Sequence, residues 1–168
     1  MNILLRSAKQ SAFFPWNAVS KLCSHPSMLI SRSTFAGTSK TAISAKALPA
    51  PVAAFSHGIK SNGFIYLSGQ VGISPATKTL VNDKLEDQTK QALQNIKTIL
   101  TDAGSRVDNI VKTTVLLADI KDFKAVNDIY AQFFKENSSP QSPLPARACY
   151  AVKDLPLGAK VEIEAIAF

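Results

Sequence analysis

The stretch FSHGIKSNGFIYLSGQVGI, Phe55–Ile73, decides how the chain is built. Two apolar runs flank KSNG, Lys60–Gly63, and Asn-Gly between such runs favours a tight hairpin, because both residues tolerate positive φ. The second run holds Ser68-Gly69, where a missing side chain lets a ligand approach the backbone and a hydroxyl stands ready to meet it; a bulge or a turn explains the same pair without a ligand.

Outward from the hairpin the period changes. From about Lys84 to Ala103, Leu85, Thr89, Ala92, Leu93, Ile96, Ile99, Leu100 and Ala103 recur at three- and four-residue steps, which predicts a helix capped by Asn82 or Asp83 and ended by Gly104. Asn109–Asp119 is β-branched and reads as a strand. A second helix follows from about Asp122 to Lys135, with Phe123, Val126, Tyr130 and Phe133 as its apolar stripe. After a loop with three prolines come two last strands, ARACYAV and VEIEAIAF. The order β-β-α-β-α-β-β predicts an α+β domain, a mixed sheet with two helices on one face. The other face, holding Val115, Leu117, Ala165 and Ala167 or their neighbours according to register, is expected to be covered by a second copy of the chain.

The 168-residue chain has a net charge of +7, but the excess is local. Residues 1–45 hold five basic side chains and no acid, while the remainder holds 14 basic against 12 acidic, a balance of +2. A phosphate-binding face is therefore not indicated. The acid-free, Ser/Thr-rich segment 1–45 reads as a mitochondrial transit peptide, disordered or weakly helical, cut between Arg32 and Lys46, with the domain proper at 46–168. No run reaches the length of a membrane span. Beyond the leader, which takes Cys23 and His25, only Cys149 and His57 remain, too few for a disulfide or an ordinary zinc site. No nucleophile-elbow motif accompanies His57.

The polar residues on the last strands are harder to explain by packing. Side chains alternate along a strand, so Arg147 and Cys149 share one face, and Glu162 and Glu164 share a face opposite Val161, Ile163 and Ala165. If the two strands are neighbours, Arg147 can meet a glutamate. A structural ion pair is the commoner outcome of such spacing. The functional alternative is a carboxylate clamp, since a guanidinium grips a carboxylate through two parallel hydrogen bonds, with a glutamate holding water nearby. Cys149 reads as a nucleophile beside a cation or, more commonly, as small packing. Asn127, beside Asp128, reads as a surface residue of the second helix.

Taken together, YLSGQVGISPATK (Tyr66–Lys78), DNIVKTTVLLADIKDFKAVNDIYAQFF (Asp108–Phe134), LPARACYAV (Leu144–Val152) and KVEIEAIAF (Lys160–Phe168) resemble the RidA/YjgF family of reactive intermediate (enamine/imine) deaminases. With its leader, the chain is similar to the fungal mitochondrial matrix factor members. The resemblance implies a chorismate-mutase-like fold, a homotrimer with clefts between subunits, and no cofactor or metal. It implies hydrolysis of 2-aminoacrylate, 2-aminocrotonate and related intermediates, released by pyridoxal-phosphate enzymes, to 2-keto acids and ammonia. It also implies a place in the mitochondrial matrix, in support of isoleucine metabolism and of the mitochondrial genome; direct RNA binding or cleavage, raised for some relatives, is disfavoured here by the +2 balance and the lack of an aromatic-basic stripe.

Residue by residue, the resemblance gives Arg147 the substrate carboxylate and Glu162 the water. It places Ser68, Gly69, Asn127 and Cys149 around the substrate. Phe55 stands where many deaminases carry a pocket tyrosine, so a hydroxyl is missing there. A non-catalytic trimer that binds small carboxylic acids, or docks on another protein, is the alternative that the same residues allow.

Overall fold

The computed structural model describes residues 39–168, so the first 38 residues of the leader expected over 1–45, with Cys23 and His25, lie outside the described residues. The Asn-Gly hairpin forms as its chemistry dictates. Asn62 and Gly63 both take positive φ, 52° and 81°, and join β2 (Gly58–Ser61) to β3 (Phe64–Val71). Helix α1 runs over Leu85–Asp102 and ends before Gly104, whose φ of 76° stops it. Its N-cap position is Lys84, which makes no side-chain capping bond, where the sequence predicts Asn82 or Asp83. Asn82, not Asp83, organises the first turn, accepting the Lys84 N–H at 2.8 Å and donating to Asp87 at 2.7 Å, while Asp83 pairs with Lys160.

The remaining elements are β4 (Ile110–Leu117), α2 (Phe123–Asn137), β5 (Ala146–Ala151) and β6 (Val161–Ala167). A further strand, β1 (Thr41–Ile43), precedes them and pairs antiparallel with β2. It lies within the segment read as leader, and Ile43 and Ala45 are buried, so packing begins upstream of Lys46.

The six strands form one mixed sheet in the order β1-β2-β3-β6-β4-β5. Only β4 and β5 run parallel, as the α2 crossover between them requires. Strand β6, last in the chain, lies between β3 and β4. The core is the face of the sheet under both helices. Ile65, Leu67, Val115, Leu117, Val161, Ile163, Ala165 and Ala167 pack there against Leu93, Ile96, Ile99 and Leu100 of α1 and Val126, Tyr130 and Phe134 of α2. Each fully buried Leu or Ile contributes about 1.5–3 kcal/mol.

Two expectations are corrected here. Val115, Leu117, Ala165 and Ala167 belong to this helix-covered face, not the open one. The open face instead carries Tyr66, Lys112, Thr114, Leu116, Tyr150, Glu162, Glu164 and Ile166, as their alternation with the buried set shows. In α2, Phe134 is buried, whereas Phe133 is only partly covered and Phe123 is exposed.

Candidate active site

Arg147 sits in β5 directly opposite Thr113 of β4, on the helix side of the sheet and near its edge. Its Nη2 donates to Oδ1 of Asn127 at 2.8 Å. Its guanidinium carbon stands 4.7 Å from the centre of the Tyr130 ring and 5.6 Å from that of Phe123. Both are cation–π distances. Phe123, Asn127 and Tyr130 are four and three residues apart, so one face of α2 supplies the whole cradle. That spacing was the available signal that Asn127 is more than a surface residue.

Thr113 fixes the cradle from below, with its Oγ1 2.7 Å from the Tyr130 hydroxyl in a buried hydrogen bond. Burial pushes the Tyr130 phenol up, against the opposing effects of Thr113 and Arg147, so it stays protonated. Sequence reading placed Tyr130 in the core stripe and missed this second task, and it missed Thr113 altogether.

No ion pair among the described residues involves Arg147. The structural ion pair that spacing favoured is therefore not what holds it. Rings and an amide orient the guanidinium without neutralising it, leaving donors for an incoming anion. Cys149, two residues on and half-buried, packs against the core. Burial raises its thiol above the ordinary range, more than Arg147 lowers it, so the nucleophile reading loses support and the thiol reads as a wall.

Glu162 is elsewhere. Strand β4 intervenes between β5 and β6, so the adjacency that would join Arg147 to a glutamate does not exist. Glu162 pairs with Leu116 and with Val71. Leu116 is three residues from Thr113, and an odd separation along one strand means opposite faces. Arg147 faces the helices and Glu162 faces the open side.

Gly69 is close to Glu162. The register slips between Leu67 and Gln70, so Ser68-Gly69 forms a bulge, and a Cβ on Gly69 would overlap the Glu162 carboxylate. The missing side chain thus accommodates the carboxyl group. Burial raises the Glu162 carboxyl above its ordinary range, and Glu164 on the same face adds repulsion. Ser68 is anchored twice, its N–H to His57 O at 3.1 Å and its hydroxyl to Ser56 O at 2.7 Å. Phe55, the residue before Ser56, is 48% exposed in the loop leading to β2.

The candidates thus fall into two groups. Arg147, Asn127 and Cys149 form one, and Glu162, Gly69 and Ser68, with Phe55 beside them in sequence, form the other. His57 joins neither. It is buried, its Nδ1 accepts the Ala45 N–H at 3.1 Å and its Nε2 donates to Pro49 O at 2.9 Å, so both nitrogens are spent on backbone.

Comparison with known proteins places this arrangement. Residues 45–168 match the family described as endoribonuclease L-PSP. The chain is 44% identical over 128 residues, 76% of its length, to a protein of Arabidopsis thaliana named Reactive Intermediate Deaminase A, chloroplastic, and the match spans 65% of that relative. It is 50% identical over 125 residues to 2-iminobutanoate/2-iminopropanoate deaminase of Capra hircus, covering 74% of this chain and 87% of the relative. The crystal structure of E. coli TdcF with bound serine superposes with a TM-score of 0.70 at 35% identity, covering 76% of this chain and 97% of that one. The chain belongs to the endoribonuclease L-PSP (RidA/YjgF) family.

Proposed function

We propose that this protein hydrolyses 2-imino acids, the 2-iminobutanoate and 2-iminopropanoate class, to 2-keto acids and ammonia, in a site completed by two subunits of a homotrimer. The observation that carries the reading is the oriented but unneutralised guanidinium of Arg147, held by Asn127 and two rings. The names of the relatives supply the substrate class.

Arg147 takes the substrate carboxylate in its fork, which fixes the neighbouring imine carbon in space. Glu162 of an adjacent copy holds water against that carbon. As the water oxygen bonds to C2, Glu162 accepts a proton and passes it to the nitrogen. The resulting carbinolamine collapses to the C2 ketone, and the nitrogen leaves as ammonia. An enamine first takes a proton at C3 and releases one from its nitrogen to become the imine. A carboxyl raised above its ordinary range accepts the water's proton more readily than an ordinary glutamate would.

The substrates are products of pyridoxal-phosphate dehydratases, and the setting is the mitochondrial matrix, with isoleucine metabolism and genome maintenance served indirectly. The chloroplastic relative supports an organellar setting. The balance of +2 outside the first 45 residues gives little attraction for a phosphate backbone, so RNA is not included among the substrates.

The test couples the full chain to a threonine dehydratase and follows 2-ketobutyrate and ammonia. Wild-type protein accelerates release, and Arg147→Ala lowers the acceleration at least about tenfold. Wild-type protein that binds 2-ketobutyrate yet never speeds ammonia release would establish the binding trimer instead; TdcF with its bound serine gives that reading its one support.

A further inference from the structure

Helix α1 presents two amides to the sheet where aliphatic side chains would ordinarily seal the contact. Gln88 is 0% and Asn95 3% exposed, and they stand seven residues apart on one helix face. Their hydrogen bonds all go to defined partners. Gln88 Nε2 donates to Asn82 O and its Oε1 accepts the Lys160 N–H, each at 2.8 Å. Asn95 Nδ2 donates to Val71 O at 3.3 Å and to Ile73 O at 3.0 Å, while its Oδ1 accepts from Gln91 at 2.8 Å. Gly72, between those two carbonyls, lies so close to α1 that a Cβ there would stand 2.7 Å from the Gln88 carbonyl oxygen.

These contacts bracket one residue. Val71 is the cross-strand partner of Glu162, and Lys160 lies two positions before Glu162 in the chain. Asn95 therefore fixes the strand beside Glu162, and Gln88 fixes the approach to Glu162's own strand. Buried amides stabilise only modestly, but they are costly when unpaired, so they select one register over its neighbours. A one-residue slip of β6 would turn Glu162 into the core and leave the Gln88 Oε1 without the Lys160 N–H, while Asn95 holds the β3 side of the pair.

We propose that Gln88 and Asn95 are positioning residues that hold the Glu162 carboxyl over Gly69 on the open face of the sheet. The proposal rests on the imine-deaminase reading for its catalytic consequence, but not for the geometry it asserts.

The test uses Gln88→Met and Asn95→Leu in the full chain, with Ile99→Val on the same helix as a packing control. Three readouts are compared with the melting temperature: kcat, KM, and the titration of Glu162 followed by carboxyl carbon NMR. Each amide variant is expected to lower kcat about 10–100-fold with KM within about threefold, since the carboxylate grip at Arg147 is untouched. The Glu162 carboxyl, freed into water, is expected to titrate closer to the ordinary glutamate range. Ile99→Val lowers the melting temperature and moves neither kcat nor the titration.

Variants that lose stability while kcat and the Glu162 titration stay at wild-type values would overturn the proposal. Should Asn95→Leu fail to fold, Gln88→Met decides alone. Wild-type protein that releases no ammonia would sink the deaminase reading only. The titration still judges the clamp, because it needs no turnover.

Discussion

Arg147 and Glu162 stand on opposite faces of one sheet because their partners on β4, Thr113 and Leu116, are three residues apart. Under the shared-site proposal, a single chain with both side chains intact lacks a complete site. Complementation in mixed oligomers follows directly. Arg147→Ala and Glu162→Gln homotrimers are each expected to be inactive. Unfolded together and refolded as a mixture, they regain activity, and random assortment restores an intact pair at about one site in four. Activity that stays at the level of the separate variants would place both groups in one chain and end the shared-site model.

Gly69 leaves space that the Glu162 carboxyl occupies. Gly69→Ala pushes a flexible side chain aside rather than a backbone, so the expected loss of stability is small, below about 1 kcal/mol. The expected loss of kcat is about tenfold or more. Steady-state kinetics beside a thermal melt checks both, and an alanine variant with full turnover would show that the fit between the two residues is irrelevant to chemistry.

The raised Glu162 carboxyl ties stability to pH with a definite sign. Between the ordinary glutamate value and the raised one, the folded chain holds the proton more tightly than the unfolded chain. Stability therefore falls as pH rises through that window. Glu162→Gln removes the penalty while abolishing turnover. The variant is expected to melt about 1–3 °C above wild type near pH 7.5, a modest gain because the group is partly hydrated, and to lose that advantage near pH 4. Scanning calorimetry at the two pH values checks it. A variant that melts lower near pH 7.5 would mean that the charged carboxylate is stabilised in the fold.

His57 holds the segment behind β1 through both ring nitrogens. His57→Ala leaves the buried Ala45 N–H without its acceptor, at a cost of about 1–3 kcal/mol. Hydrogen exchange is expected to quicken over Thr41–Pro49 first, with α1 still protected. Uniform loss of protection would show that the segment is not an independent latch.

Much of the fold is local and was legible for that reason. Asn62-Gly63 dictates its turn, the α1 stripe dictates its helix, and alternation in β5 and β6 separates Arg147 from Tyr150 and Glu162 from Ile163 correctly. What alternation cannot supply is which strands are neighbours, and the insertion of β4 between β5 and β6 undid the expected meeting of Arg147 with a glutamate. Phe133 and Phe134 lie three and four residues after Tyr130, so helical spacing fits either, and only packing on the sheet selects Phe134. Strand β1 has three residues in an acid-free segment, too short for its own period to register. Thr113, Gln88 and Asn95 carry no motif. They matter through partners distant in sequence, Tyr130, Lys160 and Val71.

The position of β6 carries a consequence for synthesis. The C-terminal strand is the only bridge between β1-β2-β3 and β4-β5. A growing chain can form the hairpin and both helices on the ribosome, yet it holds two unjoined half-sheets until Val161–Ala167 emerges. Completion of the sheet waits for that strand, and a nonsense codon before it leaves apolar edges of β3 and β4 that no other described strand covers.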